Sequence, residues 1–319
     1  MNAHVSHVGK TDKPEDGKDD KDGPLQADMA FTSVADVFKQ LERAAKAMPG
    51  QGRFDGLVFG NMSPANFDVL SNERDRRERH LRLFFLPDQE IAIVTVPSAP
   101  HEQAHSRLYT LVDRQLFAMG LDPEWRGTQA TRFSLPGGGG HGEGDSGGGL
   151  RRGNRYNNQR WPALVIEAGV SQSMAALRAK GRWWLSASNF HMKVVVLVKT
   201  VIRRSLITIE KWTAEQHFGP ESYRLGATTT RAATRAAAAP REPTRQQQME
   251  ISWSGPGHIL DTQPNDRAAA LFTVVGAPLV LRFEELFRRP PVASDGERDI
   301  EISEHDLKDL ASRVWEDVE

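Results

Sequence analysis

The chain contains no cysteine among its 319 residues, which excludes disulfides, thiol nucleophiles and Cys-ligated zinc or iron–sulfur centres together. It has no apolar run long enough to span a bilayer, and its first residues, MNAHVSHVGKTDKPEDGKDDKDG, lack the apolar segment of a signal peptide. The expectation is an intracellular protein, of cytoplasm or nucleus, without a membrane partner. Apolar residues make up only 39%, and 27 glycines with 18 prolines keep many positions out of regular elements. The length still suffices for one domain with a real core and polar extensions.

A net charge of −1 conceals a division. Residues 1–28 hold four Lys against seven acids, and residues 294–319 hold three basic against ten acidic residues, so the tails carry −10 and the body between them +9. A basic body suits a phosphate-bearing partner such as nucleic acid, and equally an ordinary uneven surface.

Periodicity divides the chain further. Residues 1–28 carry too few apolar side chains to offset the entropy of ordering, which predicts a disordered tail. Over 29–75 the spacing of Val34, Val37, Phe38, Leu41 and Ala45 predicts a helical N-terminal extension, capped by Ser33 or Thr32. An α/β core is expected over 76–217. It opens with a hairpin about Pro87-Asp88, then a helix from Pro100 to Gly120 with Leu108, Leu111, Val112, Leu116 and Met119 on one stripe. Nine glycines in the thirteen residues 137–149 predict a mobile loop. WPALVIEAGV reads as a strand covered on both faces, the following segment as a helix capped by Ser171, and MKVVVLVKTV and SLITIEKW as strands. Strand, helix and strand in this order predict a partly parallel sheet. Residues 218–250 are of low complexity and read as a linker or insertion. Residues 251–319 bring further strands and a helix with Leu307, Leu310, Val314 and Val318 on one face, packing on the core.

Three constellations could carry chemistry. His101-Glu102-Gln103-Ala104-His105 spells H-E-x-x-H, in which two imidazoles on one helix face bind zinc beside a glutamate. Pro100 puts it in a first helical turn without an obvious third ligand, and the plainer alternative is a pair of surface histidines. Ser171 stands between strand and helix, like the nucleophile of a hydrolase elbow, with Asp261 and His305 in the right order downstream; helix capping is the simpler duty. The third is a dispersed set of acids, Glu102, Asp145 and Glu167, with Arg178 and Lys180 nearby. Glu167 ends an apolar run, where a carboxylate needs a metal, an ionic partner such as Arg178, or a path to water.

The order helix with Glu102, glycine-rich segment with Asp145, strand with Glu167, and helix with a basic residue resembles the PD-(D/E)XK superfamily. The likeness is nearest to a fungal group with segments like WPALVIEAGVSQSMAALRAKGRWWL and ITIEKW, and covers most of 76–319. The resemblance implies a restriction-endonuclease-like mixed β-sheet flanked by helices, with helical N-terminal and C-terminal extensions. It implies hydrolysis of nucleic-acid phosphodiester bonds with Mg²⁺ or Mn²⁺, Asp145 and Glu167 holding the metal and Glu102 reaching into the cleft. The family's strand lysine falls on Gly169 here. In some branches the basic residue lies on the next helix, which points to Lys180 for the attacking water and gives Arg178 a structural or phosphate role. A relative that binds nucleic acid or protein without cutting, and third a zinc metallopeptidase, are the competing expectations.

Overall fold

The computed structural model describes residues 23–48, 50, 52–129, 131–135, 140–152, 160–216 and 241–318. Residues 1–22 of the tail expected to be disordered over 1–28, residues 218–240 of the expected linker (218–250) and Gly137 to Gly139 lie outside these residues. The protein is mixed α/β: two mixed sheets are stacked, with a helix between them.

The N-terminal region is more than the helical extension predicted for 29–75. Strands β1 (Met29–Ala30) and β2 (Gly56–Gly60) join a hairpin of β3 (Arg82–Leu86) and β4 (Ile91–Thr95) in the first sheet. Asp28, inside the stretch 1–28 expected to be a disordered tail, is tied to it by backbone and side-chain hydrogen bonds with Val58. Helices α1 (Val34–Ala47) and α2 (Pro64–Arg76) cover this sheet's outer face. Ser33 caps α1 by accepting from Asp36 N at 3.2 Å, and Val37, Phe38 and Leu41 are buried, whereas Ala45 is exposed.

Beyond the hairpin comes α3 (Ala99–Ala118), which stops at Gly120 with a φ of +72°. Four short strands follow: β5 (Trp125–Gly127), β6 (Arg132–Ser134), β7 (His141–Glu143) and β8 (Ser146–Leu150). Residues 141–143 and 146–150 of the glycine-rich segment are thus strand and not loop. Close packing explains the glycines: a Cβ on Gly147 would stand 2.8 Å from both the Leu164 carbonyl oxygen and Thr128 Oγ1. The first sheet runs β1-β2-β4-β3-β7-β6.

The second sheet is built on β9 (Leu164–Gly169), helix α4 (Met174–Ala187) and β10 (Val194–Val201), with β10 parallel to β9 as expected. Antiparallel strands β11 (Leu206–Gln216), β12 (Arg241–Trp253) and β13 (Phe272–Val275) extend it to the order β13-β12-β11-β10-β9-β8-β5. The start of β12 covers 241–248, where the sequence predicts linker. Its side chains there are mostly exposed and polar, and pairing with β11 rests mainly on the backbone ladder, with Arg245 reaching Glu210 at 2.9 Å, so composition conceals the strand. The chain closes with β14 (Leu279–Leu281), α5 (Phe283–Phe287), β15 (Ile300–Ile302) and α6 (Glu304–Glu316). Leu307, Leu310, Val314 and Val318 of this closing segment pack with α3 against the second sheet.

Helix α4 lies between the sheets. Eleven of its fourteen residues are buried, in accord with a sequence apolar on nearly every side. Its cap is Ser173, accepting from Ala176 N at 3.2 Å, rather than Ser171. Gly147→Ala should lower unfolding free energy in urea by about 1–3 kcal/mol through overpacking. Wild-type stability in that variant would contradict this account of the glycine segment.

Candidate functional site

Asp145 stands where the chain passes from β7 in the first sheet to β8 in the second, and it is 3% exposed. Donors from three elements meet on it. Arg82 Nη1 at the start of β3 lies 2.9 Å from Oδ1, and His101 Nε2 in the first turn of α3 lies 3.2 Å from the same oxygen. The backbone N–H of Ala168 in β9 donates to Oδ2 at 2.8 Å. Side chains alternate along β9, so that Leu164, Ile166 and Ala168 face the α3 side while Val165 and Glu167 face α4.

Glu167 is wholly buried and meets two residues one turn apart on α4. Lys180 Nζ is 3.2 Å from Oε2 and Trp184 Nε1 donates to Oε1 at 2.6 Å. Thr95 Oγ1, at the end of β4, is 3.5 Å from the same ammonium. The buried carboxylate is therefore paired with Lys180, neither reaching solvent nor pairing with Arg178. Arg178 departs from the site, because residues two apart on a helix face different ways. Its guanidinium donates to Glu210 at 2.6 Å, and Glu210 also accepts from Trp212 and Arg245.

Glu102 forms the half-exposed edge of the cluster. Its Oε1 lies 2.8 Å from Arg82 Nη2, so that Arg82 bridges Glu102 and Asp145, and its Oε2 lies 3.2 Å from His105 Nε2. Both motif histidines are buried, not at the surface: His105 Nδ1 meets Ser146 Oγ at 2.8 Å, and His101 Nδ1 lies 3.1 Å from Asp55 Oδ2. Glu102, Asp145, Glu167 and Lys180 thus belong to one neighbourhood, without Arg178.

Asp55 and Arg82 are participants that sequence reasoning misses. Asp55 precedes β2 and accepts from Val170 N at 2.6 Å, Ser171 N at 2.8 Å and Gln172 N at 3.1 Å, fixing the turn between β9 and α4. A lone aspartate ahead of the apolar run GLVFG is the available signal, and it lies far from the other acids in sequence. Ser171 is not a nucleophile: its hydroxyl donates to Asp55 Oδ1 at 2.8 Å and accepts from Asp55 N at 3.0 Å. Asp261, the supposed triad acid, instead accepts from the backbone of His258.

Burial and charge divide the site's acids. Burial raises Glu167, Lys180 counters it and Asp145 adds to it, leaving the group pushed up from 4.5 to about 7. Asp145 feels the same burial, yet His101, Lys180 and His105 hold it well below the usual carboxylate range. For Glu102, His105 and Arg82 outweigh burial and bring it down to about 2. Burial alone would lower His101, but Asp145 and Asp55 on either side raise it from 6.5 to about 9.

Among the described residues, His101, Glu102 and His105 offer ligand atoms within 4.8 Å of one another that could hold a metal ion, although His101 already spans two carboxylates.

The elevated His101 has a consequence for stability. Its contribution is complete below pH 6.5 and is lost as pH rises through about 9, because the unfolded chain releases that proton earlier. Thermal melts should therefore fall from pH 6.5 to 9, and His101→Gln should flatten that slope. An identical slope in the variant would assign it to other groups. Compared with protein-family models and with curated proteins, the chain matches none.

Proposed function

We propose that the protein is a PD-(D/E)XK-like phosphodiesterase that cleaves nucleic acid using Mg²⁺ or Mn²⁺ held by Asp145 and Glu167. The observation that carries this reading is the convergence of Asp145, Glu167 and Lys180 from the start of β8, from β9 and from α4. Around them β5, β8 and β9 are antiparallel neighbours and β10 runs parallel to β9, while β6 and β7, between β5 and β8 in the chain, pair in the other sheet. With no lysine on β9, Lys180 on α4 supplies the cation, 3.2 Å from Glu167.

A bound divalent ion would polarise a phosphate oxygen and acidify a water. The protein's own groups do the rest. Asp145 stays ionised because of its cationic neighbours, as a ligand of a hard cation must. Lys180, fixed by Glu167 and Thr95, brings positive charge to the place where negative charge develops during attack. Arg82, with 15% of its side chain exposed, is the outermost cation of the cluster and suits a phosphate contact.

One observation favours a second reading, a nucleic-acid or protein binder that does not cut: Arg82 and His101 already neutralise Asp145. The zinc peptidase is less well supported, since both His101 nitrogens are engaged by carboxylates. Supercoiled plasmid and single-stranded RNA incubated with Mg²⁺ or Mn²⁺ test the choice. Cleavage is expected, with Asp145→Asn and Lys180→Met each slowing it by about 100-fold or more. Retained binding without cleavage under either metal selects the binder, and undiminished cleavage in both variants overturns the site.

A further inference from the structure

A second charged region lies at the other end of β10. Two adjoining cavities of about 1000 Å³ and about 630 Å³ share Lys193 and Arg241 as a common wall. Lys193 immediately precedes β10, Arg241 opens β12, and Arg288 directly after α5 lines the smaller cavity. Glu167 is in register with Leu197. Lys193 is thus four residues, about 13 Å of strand, from the level of the carboxylate site.

The groove is short of free acids. Several enclosed cations elsewhere face carboxylates, Arg74 with Glu143 at 2.7 Å, Arg178 with Glu210 at 2.6 Å and Lys180 with Glu167 at 3.2 Å, while Lys199 and Arg267 meet backbone oxygens. Of the acids on the groove walls, Glu285 is taken by Lys211 at 2.8 Å, and Asp299 accepts from Phe283 N at 2.7 Å. Glu284 remains on the smaller cavity's wall. Among the described residues Lys193 and Arg241 have no carboxylate partner, and Arg288 donates to the backbone oxygen of His191 at 2.6 Å. Burial together with Arg288 and Arg241 pushes the Lys193 ammonium below its ordinary range. Cations held together in a partly enclosed space repel one another, and an anion between them removes that cost.

Size narrows the class of anion. Inorganic phosphate would fill a small part of about 630 Å³, a volume in the range of pockets that enclose whole small ligands. Phe190 on the same wall adds an apolar surface beside the cations. We propose that this groove is a binding site for a phosphate-bearing ligand of nucleotide size, its phosphates held by Lys193, Arg241 and Arg288. The site goes beyond the phosphodiesterase reading and does not depend on it.

Calorimetric titration of the full chain at low salt, without divalent metal, tests the proposal with ADP and pyrophosphate as probes. Saturable binding of ADP is expected, tighter than that of pyrophosphate. Lys193→Gln combined with Arg241→Gln should weaken it by about tenfold or more. Arg126→Gln, which removes an exposed charge on β5, should leave the affinity unchanged. No saturation by ADP, an affinity unaltered in the double variant, or an equal loss in Arg126→Gln overturns the proposal; tighter binding of pyrophosphate than of ADP overturns the assigned size. If the double variant fails to fold, Arg241→Glu alone, at an exposed position, gives the same reading. Because no metal is present, failure of the phosphodiesterase reading leaves this result untouched.

Discussion

The carboxylate of Asp145 is the interaction on which the remaining architecture rests. It meets a guanidinium from the first sheet, the His101 ring from α3 and a backbone N–H from β9 of the second sheet. A buried ionised carboxylate needs such partners, since its desolvation in a low-dielectric interior costs several kcal/mol. Here the need is met by groups from different layers, so satisfying one charge also sets where those layers lie. Asp55 works similarly one step away, binding three consecutive N–H groups of the β9–α4 turn and sharing His101 with Asp145.

Helix α4 converts this frame into a rigid setting for a cation. Trp183, Trp184, Leu177 and Leu185 pack between the sheets, so the helix cannot shift without opening a cavity. Lys180 is consequently held by packing as well as by Glu167, and Trp184 occupies the second carboxylate oxygen. Preorganisation of this kind limits the reorganisation needed when charge appears nearby. Removing one member of such a buried pair leaves the other uncompensated, which couples the site's chemistry to the protein's stability.

Much of the fold was legible because local rules and global packing agree. The α1 cap at Ser33, the hairpin about Pro87, the β9–α4–β10 unit and the face of α6 follow from periodicity and turn residues. The strands at 141–150 were hidden because their glycines answer to close neighbours in space, Thr128 and Leu164 among them, which a sequence window cannot contain. The start of β12 was hidden because backbone pairing places little demand on side chains. In the site, Glu167 stood out as a carboxylate in an apolar run, and the four-residue spacing of Lys180 and Trp184 marks a shared helical face. Arg178 was ambiguous until the helix phase and Glu210 were known. Asp55 and Arg82 were missed because ion pairs across layers leave no trace in local spacing.

The bonds from Asp55 to Val170, Ser171 and Gln172 span 115 to 117 positions of chain. Contacts of such long sequence separation form only after a large loop has closed, which places them among the slower events of folding. On a ribosome, the segment around Asp55 emerges well before the turn that it must grip. Until that turn appears, its carboxylate remains hydrated and His101 does not yet bridge two buried carboxylates. The carboxylate cluster is accordingly a property of the nearly finished polypeptide, and a nascent chain ending before β9 carries its early half without the chemistry.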